Sequence, residues 1–250
     1  MLDVHPPHHT PHGWRDFFIH IATISVGLLI AIGLEQTVEA IHHHHQRVEL
    51  EHDLRLETEK NVGLYKLDYT FFDLKAAHFI GLQHYVDALR RKEPQSTLSK
   101  IPLPPGPVND LFWGPGSSAW ETAKESSLLE LLPPDEAAMY HDLYFQHETV
   151  NRYAEYYFRA EAQRRRFESR FQSLTTPVKS GETLEPMGPD DLKQYSALVV
   201  DALDALNECR FLTDLDSSAS DAVLAGAKSP DEVERAAANA QHLGNPPKPK

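Results

Sequence analysis

From Phe17 to Leu34 the chain reads FFIHIATISVGLLIAIGL, a run of 18 residues without Asp, Glu, Lys or Arg. A helix rises about 1.5 Å per residue, so a run of about this length reaches across a hydrocarbon core of about 30 Å. Nothing between Glu35 and Lys250 has the same character. The pattern predicts a transmembrane helix over residues 14–41, preceded by a short polar tail, 1–13. Two other readings compete with it. A cleaved signal peptide needs a basic stretch ahead of the run, yet Arg15 is the only Lys or Arg there and Asp16 offsets it. A cut after Val38-Glu39-Ala40 is crowded by Glu35 and Glu39. A buried core helix is the other reading, although such apolar runs are usually shorter. Trp14 and Arg15 suit one membrane interface, and Glu35 with Gln36 reaches the other.

Beyond the run the apolar period stays helical. Leu64, Leu67, Phe71, Leu74, His78, Leu82, Tyr85 and Leu89 recur every three or four residues, which places them on one helix stripe. Extended backwards, the stripe takes in Leu50, Leu54, Glu57 and Asn61. No proline separates Trp14 from Arg91, so the spanning helix is expected to run on into a long second segment, with Gly63 its weakest point. Prolines then break the pattern over 93–116 and predict a loop. Ser118, with Glu121 three residues on, has the spacing of a capping box and predicts a helix from Ala119 to about Leu132. Asp135 is placed to cap the next. There Met139, Leu143, Gln146, Val150, Tyr153, Tyr157, Ala160, Arg164, Phe167 and Phe171 mark a long packed helix, expected antiparallel to the first. After a loop over 175–189, Leu192, Tyr195, Val199, Ala202, Leu206 and Cys209 mark another, and a short helix from Pro230 to about Ala240 follows. The fold class expected is all-α: an N-terminal transmembrane helix continuing into an antiparallel helical bundle over 42–240, with a disordered tail at 241–250.

Charge narrows the partners. A formal net charge of −13 argues against nucleic acid, which needs a basic footprint, and against broad adsorption to anionic lipid. Arg164-Arg165-Arg166 is local, and with Glu161 and Glu168 beside it reads as a solvated face with ion pairs. Orientation is close to a tie. Arg15 stands on one side of the span and Arg47 on the other, with Arg55 at the limit of the useful window. The expectation is the tail inside and the bulk outside the membrane. The single cysteine, Cys209, forbids an intramolecular disulfide and fits either compartment.

Trp14-Arg15-Asp16-Phe17-Phe18, Gly27-Leu28-Leu29-Ile30-Ala31 and Gly33-Leu34-Glu35-Gln36 form one set of motifs. The acidic segment from Glu51 to Asn61 and the segment Ser118 to Ser126, followed by Leu128 to Leu132, form another. Together they resemble uncharacterised bacterial single-pass membrane proteins, in which an anchor helix precedes a helical domain. The resemblance spans most of Trp14 to Phe158. It implies no activity, since that family has none to carry over. The histidine run and the Ala-rich C-terminal part have no counterpart in it.

Candidate chemistry is sparse. Within the span, His20, Thr23, Gly27, Ala31 and Glu35 share one helix face, and Thr23, Gly27 and Ala31 are small residues four apart. Such a series lets two helices approach closely and points to a homodimer; ordinary Gly and Ala content in a lone lipid-facing helix competes with it. His42 to His45 surround the helix and cannot all hold one metal. His45, Glu49 and His52 fall on one face and suit zinc or a similar ion, against the plainer reading of a titratable collar beside the membrane. Glu57 and Asn61 interrupt an apolar stripe, either to take a ligand or a partner's backbone, or to be satisfied inside the bundle. Ser117-Ser118 is no nucleophile elbow, because Trp120 stands where that motif needs Gly. Trp120 and Cys209 read as core residues. No catalytic motif outweighs a structural reading and no cofactor is implied. The reading is a membrane-anchored, self-associating interaction or sensory module with an unknown protein partner or ligand. The alternative is a metal-dependent enzyme or metal-handling protein that uses the histidines.

Overall fold

The computed structural model describes residues 13–102, 111–172, 174 and 184–244. Among them the chain is all helical: α1 (Trp14–Arg90), α2 (Gln95–Leu98), α3 (Ser118–Glu125), a 3₁₀ turn (Leu128–Leu131), α4 (Pro134–Glu168), α5 (Pro189–Leu224) and α6 (Pro230–Gly244). By packing, the chain falls into two units, Met1–Leu50 and Glu51–Lys250.

In the first unit the sequence forms helix with little help from tertiary contacts. The N–H groups of Asp16 and Phe17 bond the Gly13 carbonyl, and Asp16 puts a negative charge at the positive end of the helix dipole. Thr23 and Thr37 turn their hydroxyls back onto the carbonyls of Ile19 and Gly33, at 2.8 and 2.7 Å, so neither leaves an unpaired donor. Every residue from Gly13 to His45 is exposed, including the whole apolar run. This is one helix long and apolar enough to cross a membrane.

The second unit is a bundle of three long helices, the 51–90 part of α1 with α4 and α5, to which α6 is added. Side-chain pairs give the directions. On α5 against α1, Arg55 meets the Leu224 carbonyl, Tyr65 meets Asp216, and Asp73 meets Arg210. α5 therefore runs antiparallel to α1. On α4 against α1, Glu57 meets Tyr144, Phe71 meets Tyr157, and Phe79 meets Arg164. These pairs ascend together, so α4 runs parallel to α1, which corrects the antiparallel pairing expected for those two. The physical reason is the connection. Residues 111–120 return along α1 from Asp68 down to Glu57, so the chain restarts upward at α4.

The core holds Phe72, Phe79, Leu82 and Val86 of α1, Tyr157 and Phe167 of α4, and Tyr195, Val199, Ala202 and Leu206 of α5. Each buried Val, Leu or Phe among them contributes about 1.5–3 kcal/mol through burial. The α4 and α5 stripes fall where their periodicity puts them. The α1 stripe does so only in part: Leu50, Leu54, Glu57, Asn61, Phe71 and Leu82 are buried as expected. Buried positions run Leu54, Thr58, Asn61, Tyr65, Asp68, Phe72, Lys75, Phe79, Leu82 and Val86, alternating steps of four and three. Leu67 and Leu74 are exposed. Between Tyr65 and Phe79 the stripe is rotated by about one residue from the expected one because polar Asp68 and Lys75 occupy inward positions.

Helix ends also differ in detail. Ser117, not Ser118, is the residue before α3, and no side chain on α3 caps it. The helix stops at Glu125, and Ser127 takes a left-handed conformation (φ 58°) before the 3₁₀ turn. Pro133 precedes α4, and Asp135 lies inside its first turn. Gly188 precedes α5, where the Asp191 carboxylate accepts the Gly188 N–H at 3.1 Å. Residues 103–110 of the proline-rich loop, 175–183 of the second loop and 245–250 of the tail lie outside the described residues.

Candidate functional site

The most organised polar region lies where α1, the returning segment 111–120, α4 and α5 meet. Asp68 accepts the N–H groups of Trp113 and Gly114 at 2.8 and 3.1 Å. Asn61 accepts the Gly116 N–H at 2.8 Å and donates to the Gly116 carbonyl at 3.0 Å. Glu57 accepts from the Ser118 hydroxyl (2.7 Å), the N–H groups of Ala119 and Trp120, and the Tyr144 hydroxyl (2.8 Å). The first turn of α3 is thus capped by a carboxylate from another helix, which satisfies orphan donors and complements the helix dipole. Burial works to raise the Glu57 pKa, but the bonds from Ala119, Ser118, Tyr144 and Trp120 outweigh it and hold the carboxyl below its ordinary value. At Asp68 burial wins, and its pKa is raised despite the bonds from Trp113 and Gly114. Asn151 of α4 fixes the segment from the other side by donating to the Pro115 carbonyl at 2.9 Å. Gly114 is left-handed (φ 61°), and a Cβ there would collide with the Asn151 side-chain oxygen. Glu57 and Asn61 therefore serve the chain's own backbone.

Deeper in, the Tyr65 hydroxyl donates to Asp216 Oδ2 at 2.7 Å. The other oxygen, Oδ1, lies 3.4 Å from His147 Nε2, with both side chains fully buried. That distance is within ion-pair range, but burial drives both groups to their neutral forms. It lowers the imidazole to about 4 and lifts the carboxyl to about 8. Near pH 7 the contact is between an uncharged imidazole and a carboxylic acid. Neither ring nitrogen of His147 has a hydrogen-bond partner among the described residues.

Above His147 opens a cleft of about 290 Å³ between α3 and α4. Trp120 stacks on Tyr144 with ring centroids 4.9 Å apart, and Tyr144 meets His147 edge-on at 4.8 Å. Phe145, Glu121, Lys124, His141 and Glu148 complete its walls. A second, more apolar cleft of about 440 Å³ lies between α4, α5 and α6.

Elsewhere Arg164 is buried rather than solvated, which corrects the reading of the cluster at that position, while Arg165 and Arg166 are exposed as expected. Its guanidinium makes a bidentate pair with Glu161 (2.7 and 3.0 Å), bonds Glu168 at 2.7 Å and Tyr195 at 2.5 Å, and sits over the rings of Phe79 and Tyr195. Arg165 adds a second positive charge 3.6 Å from Glu161, so the two carboxylates face two guanidinium groups and Arg164 acts as an internal brace. Cys209 is buried, and burial pushes its thiol up to about 12, which makes it a poor nucleophile.

The residues singled out in the apolar run, His20, Thr23, Gly27, Ala31 and Glu35, are all exposed on α1. Nothing lies within 4 Å of a Cβ built on Gly27. His45, Glu49 and His52 are exposed as well, and among the described residues no group of three His, Cys, Asp or Glu side chains converges as metal ligands. His147, Asp216 and Tyr65 were missed from the sequence. Their one signal was position: Asp216 continues the inward spacing of α5 seven residues past Cys209, and His147 adjoins Gln146 on the α4 stripe.

No family model matches the chain, and no curated protein and no solved structure matches it either.

Proposed function

We propose that the chain is a membrane-anchored helical interaction or sensory module without catalytic activity, and that it self-associates through the anchor. The observation that carries this reading is the contrast within α1: an exposed apolar run from Phe17 to Leu34, and a bundle whose buried carboxylates Glu57, Asp68 and Glu161 are spent on backbone and arginine partners. Apolar surface of that extent needs lipid or protein around it. The anchor lies in a bacterial inner membrane, with the preceding tail inside and the bundle in the periplasm.

The test of the anchor is extraction. The chain stays with membranes through alkaline carbonate and leaves only with detergent; release by carbonate alone overturns the reading. Orientation is read by labelling an Asp201→Cys variant in intact cells with a membrane-impermeant maleimide, and protection of that exposed site reverses the topology. Self-association is read by cross-linking in membranes. Thr23, Gly27 and Ala31 form the contact, and Gly27→Ile puts a branched side chain where backbones approach. A cross-linking yield that is unchanged at matched expression removes this face from the contact.

A further inference from the structure

The cleft between α3 and α4 holds a recognition group that the bundle itself leaves unused. We infer that the cleft binds a small aromatic cation, a single planar ring carrying a protonated amine. The inference deepens the sensory part of the function above and rests on it.

Size sets the first limit. A cavity of about 150 Å³ accommodates a benzene ring, so about 290 Å³ takes one ring with a short arm and not a nucleotide. The walls set the second. Phe145 offers an exposed ring, Trp120 and Tyr144 form a stacked aromatic base, and His141 meets Trp120 edge-on. Aromatic rings attract both flat apolar groups and cations. Charge sets the third. Lys124 faces Glu121 at 3.9 Å, so these two largely offset each other. Glu148 has no ion pair among the described residues and leaves the cleft with a net negative wall. A carboxylate or phosphate ligand would be repelled there, and an ammonium drawn in.

His147 supplies the fourth limit. It lines the floor of the cleft and is 1% exposed; Nε2 faces Asp216 Oδ1 at 3.4 Å, and Nδ1 has no hydrogen-bond partner among the described residues. A neutral imidazole carries one donor and one acceptor, whereas an ammonium only donates. With Nε2–H turned to Asp216 Oδ1, Nδ1 is the acceptor and takes an N–H of the ligand while Glu148 balances its charge. A buried polar group without a partner is costly, so a ligand that satisfies it gains affinity beyond ring stacking.

The experiment uses the full chain in nonionic detergent micelles, with empty micelles as background, and follows binding of benzylamine, cyclohexylmethylamine and benzoate by ligand-observed saturation-transfer NMR. Benzylamine is expected to bind about tenfold more tightly than benzoate, with cyclohexylmethylamine between them. Glu148→Gln, a surface change that leaves the fold alone, weakens benzylamine severalfold. His147→Phe, which keeps the ring volume and removes both nitrogens, abolishes binding at unchanged helicity. Equal binding of benzoate and benzylamine, or benzylamine binding that survives Glu148→Gln at full strength, overturns the inference. So does the absence of any benzylamine signal at about the millimolar level expected of a fragment. Those failures leave the anchor reading standing, because carbonate extraction tests it separately.

Discussion

Helix α1 contains two stretches that invert each other. Between Phe17 and Leu34 it carries Ile, Leu, Val and Phe, and every one of them is exposed. Between Leu54 and Lys75 it buries Glu57, Thr58, Asn61, Asp68 and Lys75. In water the first arrangement leaves apolar surface with nothing to cover it, and the second removes polar groups from the solvent that satisfies them. Each becomes reasonable only through its partners. For the first the partner is a hydrocarbon phase or another helix. For Glu57, Asn61 and Asp68 of the second it is the backbone of residues 113–120, whose N–H and C=O groups meet them, while Thr58 bonds the Leu54 carbonyl of its own helix. Residue polarity therefore does not report burial in this chain until the neighbour is specified.

The sharpest way to break this contrast is to make equivalent cuts in both stretches. Phe79 is fully buried, with its ring against Tyr157 and under the Arg164 guanidinium. Phe79→Ala should cost the bundle about 3–5 kcal/mol. Denaturant unfolding of the detergent-solubilised chain, followed by tryptophan fluorescence, measures it. Ile24→Ala removes side-chain volume from an exposed site in the other stretch and should leave the same transition in place. Comparable losses from the two changes would mean that the first stretch also packs in a core.

The reverse cut adds charge. Leu29→Arg should weaken membrane insertion by about 2.5–3.5 kcal/mol on the translocon scale. The readout is the fraction of chain recovered with membranes, and it should fall while the purified bundle keeps its unfolding midpoint. A variant that inserts as well as the parent would place Leu29 away from the hydrocarbon.

The next effect is smaller and concerns the polar stripe. Asn61→Ala removes both bonds to Gly116 and leaves an N–H and a C=O unpaired in a partly buried position, at a cost of about 2 kcal/mol. Because Glu57 and Asn61 hold the same returning segment, Glu57→Gln and Asn61→Ala should not add. Strict additivity in a double-mutant cycle would mean that the two act on separate structures.

How far the sequence disclosed this depends on which partner each residue needed. The exposed run was legible because length and lack of charge alone define it. The α4 and α5 stripes were legible because their inward positions are largely apolar. The α1 stripe was legible from Leu50 to Asn61 and at Leu82, but between them it was misplaced by about one residue, since a reading that seeks apolar spacing moves to Leu67 and Leu74 when Asp68 and Lys75 occupy the true inward sites. Arg164 misled for a related reason: three consecutive arginines look solvated, and only Tyr195, Phe79 and the two glutamates around it reveal a closed pocket. The direction of α4 and the capping of α3 by Glu57 were beyond local pattern, because both follow from a segment returning along α1 more than 40 residues later. The His147–Asp216 contact joins residues on different helices, and nothing local in either sequence neighbourhood announces it.

The smallest effect tests whether that buried contact is neutral, as its surroundings require. The carboxyl of Asp216 is lifted to about 8 from an ordinary 3.8, so the folded chain keeps a proton that the unfolded chain releases. Its contribution to stability is full below about pH 4 and declines as pH rises through about 8. The imidazole of His147 is lowered to about 4 from 6.5, so the unfolded chain takes up a proton first. Its contribution therefore grows as pH rises from about 4 to 6.5. Glu57, held below its ordinary value, also contributes above that value and is lost as pH falls through its folded pKa. Between pH 4 and 6.5 the Asp216 and His147 slopes oppose each other, and above 6.5 the Asp216 slope stands without its counterpart. Stability should thus fall between pH 6.5 and 8, with a slope approaching about 1.4 kcal/mol per pH unit. In Asp216→Asn the amide oxygen still accepts the Tyr65 hydroxyl, no proton is held, and the slope in this window should vanish. Denaturant midpoints measured at half-unit steps across the window decide it. A slope that persists in the variant would place the titrating group elsewhere, and a flat parent profile would mean that Asp216 is ionised beside a charged His147.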